Sequence, residues 1–101
     1  MSYKKLIINS TSSIEIENAI SFYSEINILL ARKLEKEIRS SFIKILKYPE
    51  SFQFRYQIVR VIWLKKFPFG IYYIFDSDEI YIIAFWHNKE DIPAKFQKCF
   101  P

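Results

Sequence analysis

Two polar side chains that could take part in a reaction lie within the most apolar stretch of the sequence. Arg60 lies in the first of three apolar runs, and His87, the only histidine, ends the third. A guanidinium can stabilise charge on a phosphate, with Lys65, Lys66 or Lys89 assisting it. An imidazole is the side chain best suited to proton transfer near neutral pH. The pattern therefore allows phosphate chemistry, if these residues lie close together.

Each of these residues also has a structural explanation. A strand arginine can pair with a buried carboxylate instead of an external anion, and a single histidine at a strand end is more often a hydrogen-bonding residue than a catalyst. A metal site is not expected, because His87 and Cys99 are far apart and lack partner ligands. The single glycine excludes a glycine-rich phosphate loop, and no cofactor is expected.

Composition indicates one folded domain over residues 1–101, because half of the chain is hydrophobic and 19% is aromatic. Residues 28–75 carry ten basic and three acidic side chains, and both flanking segments are slightly acidic. This distribution favours an anionic partner, either nucleic acid or an acidic protein, although a solvated helix face explains it equally well. No apolar run is long enough to span a membrane and no secretion signal is recognisable, so a cytoplasmic location is expected.

The elements that would position these residues begin with a short strand at residues 3–9. Ser12 and Glu15 have capping-box spacing and predict the start of a first helix. A second helix is predicted over residues 28–47, with Asn27 in a left-handed conformation between the two. The apolar face of the first helix is predicted to comprise Ile16, Ala19, Ile20 and Tyr23, widened by Phe22 and Ile26.

Three strands are predicted after the helices, at residues 58–64, 67–75 and 79–87. Residues 49–57 are expected to form a connection, and residues 88–101 a tail with one helical turn near residues 94–97. The order β-α-α-β-β-β predicts an α+β fold. In it, a mainly antiparallel four-stranded sheet carries a helical hairpin on one face.

Strand alternation assigns side chains to the two faces of that sheet. Tyr81, Phe85 and His87 are expected on the open face, with Tyr81 and Phe85 available for recognition. Charge favours the open face for Arg60 as well. The residues expected to contact the helices from the last strand are Ile80, Ile82, Ala84 and Trp86.

Several segments occur in an order that matches a known family. The matching segments are, along the chain, Tyr23 in the first helix, PESF at 49–52, Arg60, KFPF at 66–69, YY at 72–73, IIAFWH at 82–87, Pro93 and Phe96. Together they resemble the RelE/ParE superfamily of toxins from bacterial type II toxin–antitoxin systems. The pattern is most similar to the ParE-like, plasmid-stabilisation branch.

The resemblance implies a toxin that binds a target such as DNA gyrase and is neutralised by a cognate antitoxin. An alternative is a ribosome-dependent mRNA endoribonuclease that needs no metal, with Arg60 and His87 as its catalytic residues. A third is a non-toxic protein-binding module. The companion histidines of the family's nucleases are absent here. The residues expected to bind partners are Arg60, Lys65, Lys66, Tyr81, Phe85, Lys89 and Phe96.

Overall fold

Within residues 5–99, which the computed structural model describes, three helices and five strands form an α+β fold. The sheet has the order β1-β5-β4-β3-β2, in which only the β1–β5 pair is parallel. The predicted fold class is confirmed. Residues 3 and 4 of the predicted first strand and residues 100 and 101 of the predicted tail lie outside the described part. The elements are β1 (Lys5–Ile8), α1 (Ser10–Ile26), α2 (Ile28–Lys47), β2 (Phe54–Tyr56), β3 (Val59–Trp63), β4 (Phe69–Asp76), β5 (Glu79–His87) and α3 (Ile92–Cys99).

Asparagine side chains begin both long helices. The Asn9 side chain accepts a hydrogen bond from the Ser12 N–H at 2.7 Å, so α1 starts at Ser10, before the predicted capping box. Asn27 has an extended φ of −165°, so the predicted left-handed conformation is wrong. It ends α1 and caps α2 by accepting from the Leu29 N–H at 2.8 Å. One asparagine therefore makes the tight turn of the hairpin without glycine.

The hairpin packs on one side of the sheet, which we call the hairpin face. Ala19 is buried there, and the rest of the predicted stripe of α1 packs around it. Phe22 and Ile26 do not widen the stripe as predicted, since they are 60% and 61% exposed. The bounds of α2 are as predicted. The buried residues of this core are Ala19, Leu34, Ile38, Ile45, Ile62, Leu64, Phe67, Ile71, Tyr73, Ile80, Ile82 and Phe85.

A β-bulge interrupts the pairing of β4 with β5. Tyr72 lies opposite Ala84, but the next residue, Tyr73, lies opposite Ile82, so Ile83 is the extra residue. An extra residue in one strand reverses the alternation of faces beyond it. The face assignments made from strict alternation therefore hold only up to Ile82.

Beyond the bulge, the predicted faces are exchanged. Ala84 and Trp86 belong to the core on the opposite side of the sheet. Phe85 packs in the hairpin-face core, and its ring stacks on Phe69 with centroids 4.8 Å apart. His87 lies edge-on to the same Phe69 ring at 5.4 Å. The expectation that Phe85 and His87 lie on an open face is thus wrong.

The opposite side of the sheet carries α3, and we call it the α3 face. The single helical turn predicted in the tail is instead an eight-residue helix. Ile92 and Phe96, four residues apart, both point into the sheet and are almost fully buried. They complete a second core with Val59, Val61, Tyr72, Ala84 and Trp86.

The segment after α2 contains a fifth strand that the sequence did not predict. In β2, Phe54 lies opposite Arg60, and Tyr56 lies opposite Val59. Gln57 has a positive φ of 49° and makes the turn into β3. A three-residue edge strand is too short for alternation to be recognisable. In residues 5–99, no helix is both long enough and apolar enough to cross a membrane.

Candidate functional site

Arg60 forms contacts within its own chain. Its Nη1 donates hydrogen bonds to the carbonyl oxygens of Glu50 at 3.1 Å and Phe52 at 2.8 Å. The guanidinium also lies 4.0 Å from the centroid of the Phe54 ring. Arg60 shares its side of β3 with the core residue Ile62, which places it on the hairpin face rather than the open face. Its position therefore stabilises the connection between α2 and β3.

His87 is oriented by the turn that follows β5. Its Nδ1 accepts a hydrogen bond from the Lys89 N–H at 3.1 Å, so the neutral ring carries its proton on Nε2. In that tautomer Nε2 is a donor and not a general base. The His87 N–H donates to Glu90 Oε2 at 3.0 Å. These contacts suit a structural histidine.

Arg60 and His87 do not converge on one point. Arg60 lies opposite Tyr73 on β4, whereas His87 lies opposite Phe69, four residues away on the same strand. Strand spacings then place the two Cα atoms roughly 16 Å apart. The Arg60 side chain points to the Glu50 and Phe52 carbonyls, so one phosphate group could not contact both residues.

The other predicted binding residues divide into buried and exposed groups. Phe85 and Phe96 are only 2% and 1% exposed, each in a different core. The Tyr81 hydroxyl donates to Glu79 Oε1 at 2.7 Å, and this hydrogen bond raises the pKa of Tyr81. Lys65, Lys66 and Lys89 are exposed. Of the sequence-predicted set, these three lysines are the most accessible.

Lys65 and Lys66 line a basic groove between α2 and the β3–β4 turn. Two adjoining depressions of about 430 and 440 Å³ form it, and we call them together the lysine groove. Its cationic residues are Lys33, Lys36, Lys44, Lys65 and Lys66. The sequence left open whether the basic side chains of α2 meet an anionic partner or only form a solvated face, and the three helix lysines were not singled out as binding residues. Their spacing along α2 was the available signal.

Glu37 lines both depressions of the lysine groove. Its carboxylate accepts hydrogen bonds from two consecutive backbone N–H groups of the turn, those of Lys65 and, at 3.2 Å, Lys66. A carboxylate that accepts from two adjacent amides is fixed in place. Glu37 therefore fixes the distance between α2 and the turn, and with it the width of the groove.

A second polar cluster surrounds the end of β5. β1 pairs with β5 only as far as Ile82, which leaves the Phe85 N–H available to other acceptors. The Glu15 carboxylate accepts from that N–H at 3.1 Å and from Trp86 Nε1 at 2.6 Å. The predicted capping role of Glu15 is therefore wrong. This carboxylate connects α1 to the free edge of β5.

Beside His87, Glu90 and Lys95 neutralise each other. Lys95 Nζ lies 2.9 Å from Glu90 Oε1 and 4.9 Å from the centroid of the Trp86 ring. These two charges near His87 are thus used within the fold. In the described part of the chain, no cluster of three or more histidine, cysteine, aspartate or glutamate residues could hold a metal ion.

Two adjacent tyrosines are buried on opposite sides of β4. The Tyr73 hydroxyl donates to the Pro49 carbonyl at 2.6 Å, and burial raises its pKa to about 12. Tyr72 lies in the α3-face core, and burial raises its pKa to about 12 as well. Its hydroxyl has no hydrogen-bond partner among residues 5–99. Neither phenol is placed for proton transfer at neutral pH.

Sequence comparison alone does not classify this chain, since no protein-family model and no curated protein matches it. Structural comparison identifies its fold. A chain of the "Chromosomal ParDE TA system from P. aeruginosa" superposes with a TM-score of 0.73 at 17% sequence identity. The match covers 83% of this chain and 95% of the other. The chain has the ParE/RelE-like fold.

That fold accounts for the arrangement described above. The predicted architecture, with a helical hairpin on a sheet whose strands carry Arg60 and His87, is the one observed, with one strand more than predicted. At 17% identity the likeness concerns the fold, and the side chains decide function.

Proposed function

We propose that this chain is the toxin of a type II toxin–antitoxin module in the bacterial cytoplasm. It acts by binding a target such as DNA gyrase, and a cognate antitoxin neutralises it. The ParE/RelE-like fold supports the module, and the separation of Arg60 from His87 supports binding over RNA cleavage.

Metal-independent RNA cleavage requires a base, an acid and a cation around one phosphate. Here the Arg60 guanidinium donates to two backbone carbonyls of its own chain. The Nδ1 of His87 accepts from a backbone N–H, and the two residues are roughly 16 Å apart by strand geometry. The arrangement supplies no catalytic centre at these positions. It leaves exposed lysines for recognition of an acidic surface.

The test is inducible expression in a bacterial host, with growth as the measurement. Expression of the wild-type chain is expected to arrest growth. Co-expression of the product of the adjacent open reading frame is expected to restore it and to yield a complex that co-purifies. Growth that continues at a verified level of folded protein would contradict the proposal.

A pair of charge-reversal variants separates binding from folding. The double variant Lys65→Glu/Lys66→Glu is expected to lose toxicity at an unchanged protein level. Lys98→Glu, in an exposed position of α3, is the control and is expected to remain toxic. Equal toxicity of both variants would contradict a role for the exposed lysines of the β3–β4 turn.

A further inference from the structure

Four exposed apolar side chains form a ridge at the tip of the helical hairpin. Phe22 and Ile26 lie one turn apart on α1, and Ile28 and Leu29 follow directly at the start of α2. Each of the four is between 54% and 61% exposed. Together they expose about 400 Å² of apolar surface, and an apolar patch of that size on a monomer commonly marks a contact site. We call these four residues the tip ridge.

The tip ridge belongs to an apolar stripe that one copy of the chain buries only in part. Ala19, Phe22 and Ile26 have helical spacing and follow one side of α1. Ala19 is buried against the sheet, whereas Phe22 and Ile26 are exposed. An apolar stripe that is wider than the contact it makes indicates a second surface that covers the remainder.

A groove lies directly beside the tip ridge. It has a volume of about 420 Å³ and runs between α1 and the end of β5. Phe22 forms part of its wall, and Phe69 and Phe85, whose rings stack with centroids 4.8 Å apart, line it as well. We call it the α1–β5 groove. Its aromatic lining is complementary to another apolar side chain.

The charged groups around the α1–β5 groove already have partners within the chain. The Glu15 carboxylate accepts from the Phe85 N–H at 3.1 Å and from Trp86 Nε1 at 2.6 Å. Glu90 pairs with Lys95 at 2.9 Å. A charged occupant would have to break these contacts, whereas an apolar side chain leaves them intact. The groove therefore favours an apolar occupant.

A ridge that lies beside a groove is complementary to a second copy of itself about a twofold axis. Phe22 of each copy can enter the α1–β5 groove of the other, while the rest of the two ridges cover each other. Ridge and groove together provide roughly 500–600 Å² on each copy, so a dimer would bury about 1,000–1,200 Å² in total. That area is at the lower limit for a specific interface.

We propose that two copies of this chain associate as a twofold dimer through the tip ridge and the α1–β5 groove. An interface of this size predicts a reversible dimer with a dissociation constant on the order of 10 µM. The proposed function plays no part in this inference, because the dimer follows from the shape and the apolar character of the surface.

The test is sedimentation velocity of the purified full chain at concentrations from about 1 to about 200 µM. The weight-average mass is expected to rise from that of one chain towards that of two. A mass of one chain over the whole range would overturn the inference, because the tip ridge would then be left for a partner of different sequence.

Three variants that each add one negative charge locate the interface. Phe22→Glu changes the ridge, and Asn18→Glu changes an exposed position that lines the groove. Both are expected to weaken the dimer by at least about tenfold, because each buries an unpaired carboxylate. The control, Ile43→Glu, is at a position 53% exposed and about 21 Å further along α2 than Leu29. It is expected to change the dissociation constant by less than about threefold.

Circular dichroism confirms that each variant is folded. Wild-type affinity in either Phe22→Glu or Asn18→Glu would overturn the inference, and so would equal weakening in all three variants. These measurements do not depend on toxicity. A dimer formed by a non-toxic protein would refute the proposed function alone, and a toxic protein that stays monomeric would refute this inference alone.

Discussion

Tyr72 and Tyr73 are neighbouring, fully buried tyrosines that differ in the hydrogen bonding of their hydroxyls. Tyr73 donates to the Pro49 carbonyl at 2.6 Å, where the connection leaves α2. The Tyr72 hydroxyl has no partner within residues 5–99. Replacing either with phenylalanine removes one oxygen and leaves the ring in place. The pair therefore measures what a buried hydroxyl contributes with and without an acceptor.

Only one of the two substitutions is expected to lower stability. Tyr73→Phe leaves the buried Pro49 carbonyl without its donor and should lower the free energy of unfolding by about 1–2 kcal/mol. Tyr72→Phe removes a hydroxyl that was desolvated without compensation. It should leave the free energy of unfolding unchanged or raise it by up to about 1 kcal/mol. The variants should thus differ by about 2 kcal/mol.

Urea denaturation followed by far-UV circular dichroism gives the free energy of unfolding for both variants and the wild type. An unchanged dependence on denaturant would show that the exposed area is the same in all three proteins. An equal loss of stability in Tyr72→Phe and Tyr73→Phe would contradict this expectation. That outcome would mean that the Tyr72 hydroxyl is satisfied in solution.

Three further predictions concern the same sheet. Burial raises the pKa of Tyr73 from 10.0 to about 12, so the folded state resists its ionisation. The contribution of Tyr73 to stability should be full below about pH 10 and fall by about 1 kcal/mol per pH unit up to about pH 12. Denaturation repeated across that range should give a smaller slope in Tyr73→Phe, and part of the remaining slope belongs to Tyr72, because burial raises its pKa to about 12 as well. Gly70→Ala would place a Cβ only 2.8 Å from the Trp63 ring, and this clash should lower the free energy of unfolding by about 1–3 kcal/mol. In a double-mutant cycle, Trp63→Val should recover part of that loss. Arg60→Ala removes two hydrogen bonds and the contact with Phe54, so it should lower the free energy of unfolding by about 2 kcal/mol. Arg60→Lys should have an intermediate stability. An Arg60→Ala protein as stable as the wild type would show that these contacts contribute little.

The helical hairpin could be predicted because its signals are local. The helical spacing of apolar residues in α2 predicted where this helix begins and ends, and Pro49 stops the helix. Asn27 was recognised as the turn, although its conformation was wrong, because one asparagine can serve both helices in an extended conformation. Local capping chemistry allows several geometries, and tertiary packing selects one of them.

The faces of β5 could not be predicted beyond its middle. Residues 80–86 are all apolar, so no polar side chain marks which face is solvated, and the sequence does not reveal the bulge at Ile83. The same limit applies to α3. Its two anchors, Ile92 and Phe96, have helical spacing, but a stripe of two residues is too short to distinguish from a loop.

The sequence predicted only part of the candidate site. Lys65 and Lys66 were identified, and the basic middle of the chain indicated an anionic partner. The α2 wall of the lysine groove was missed because its lysines resemble an ordinary solvated face until the β3–β4 turn is placed opposite them. The contacts of Arg60 are with backbone carbonyls, which every residue carries. Sequence pattern gives no information about such partners.

Mapping of transcript ends distinguishes target binding by this chain from RNA cleavage. After induced expression in one host, mRNA 5′ ends and DNA breaks are followed for the wild type, Arg60→Ala and His87→Ala. We expect intact mRNA in all three strains, with gyrase-linked DNA breaks in the wild type and in His87→Ala. Ribosome-dependent mRNA cuts in the wild type that disappear in both variants, each shown to be folded, would contradict it.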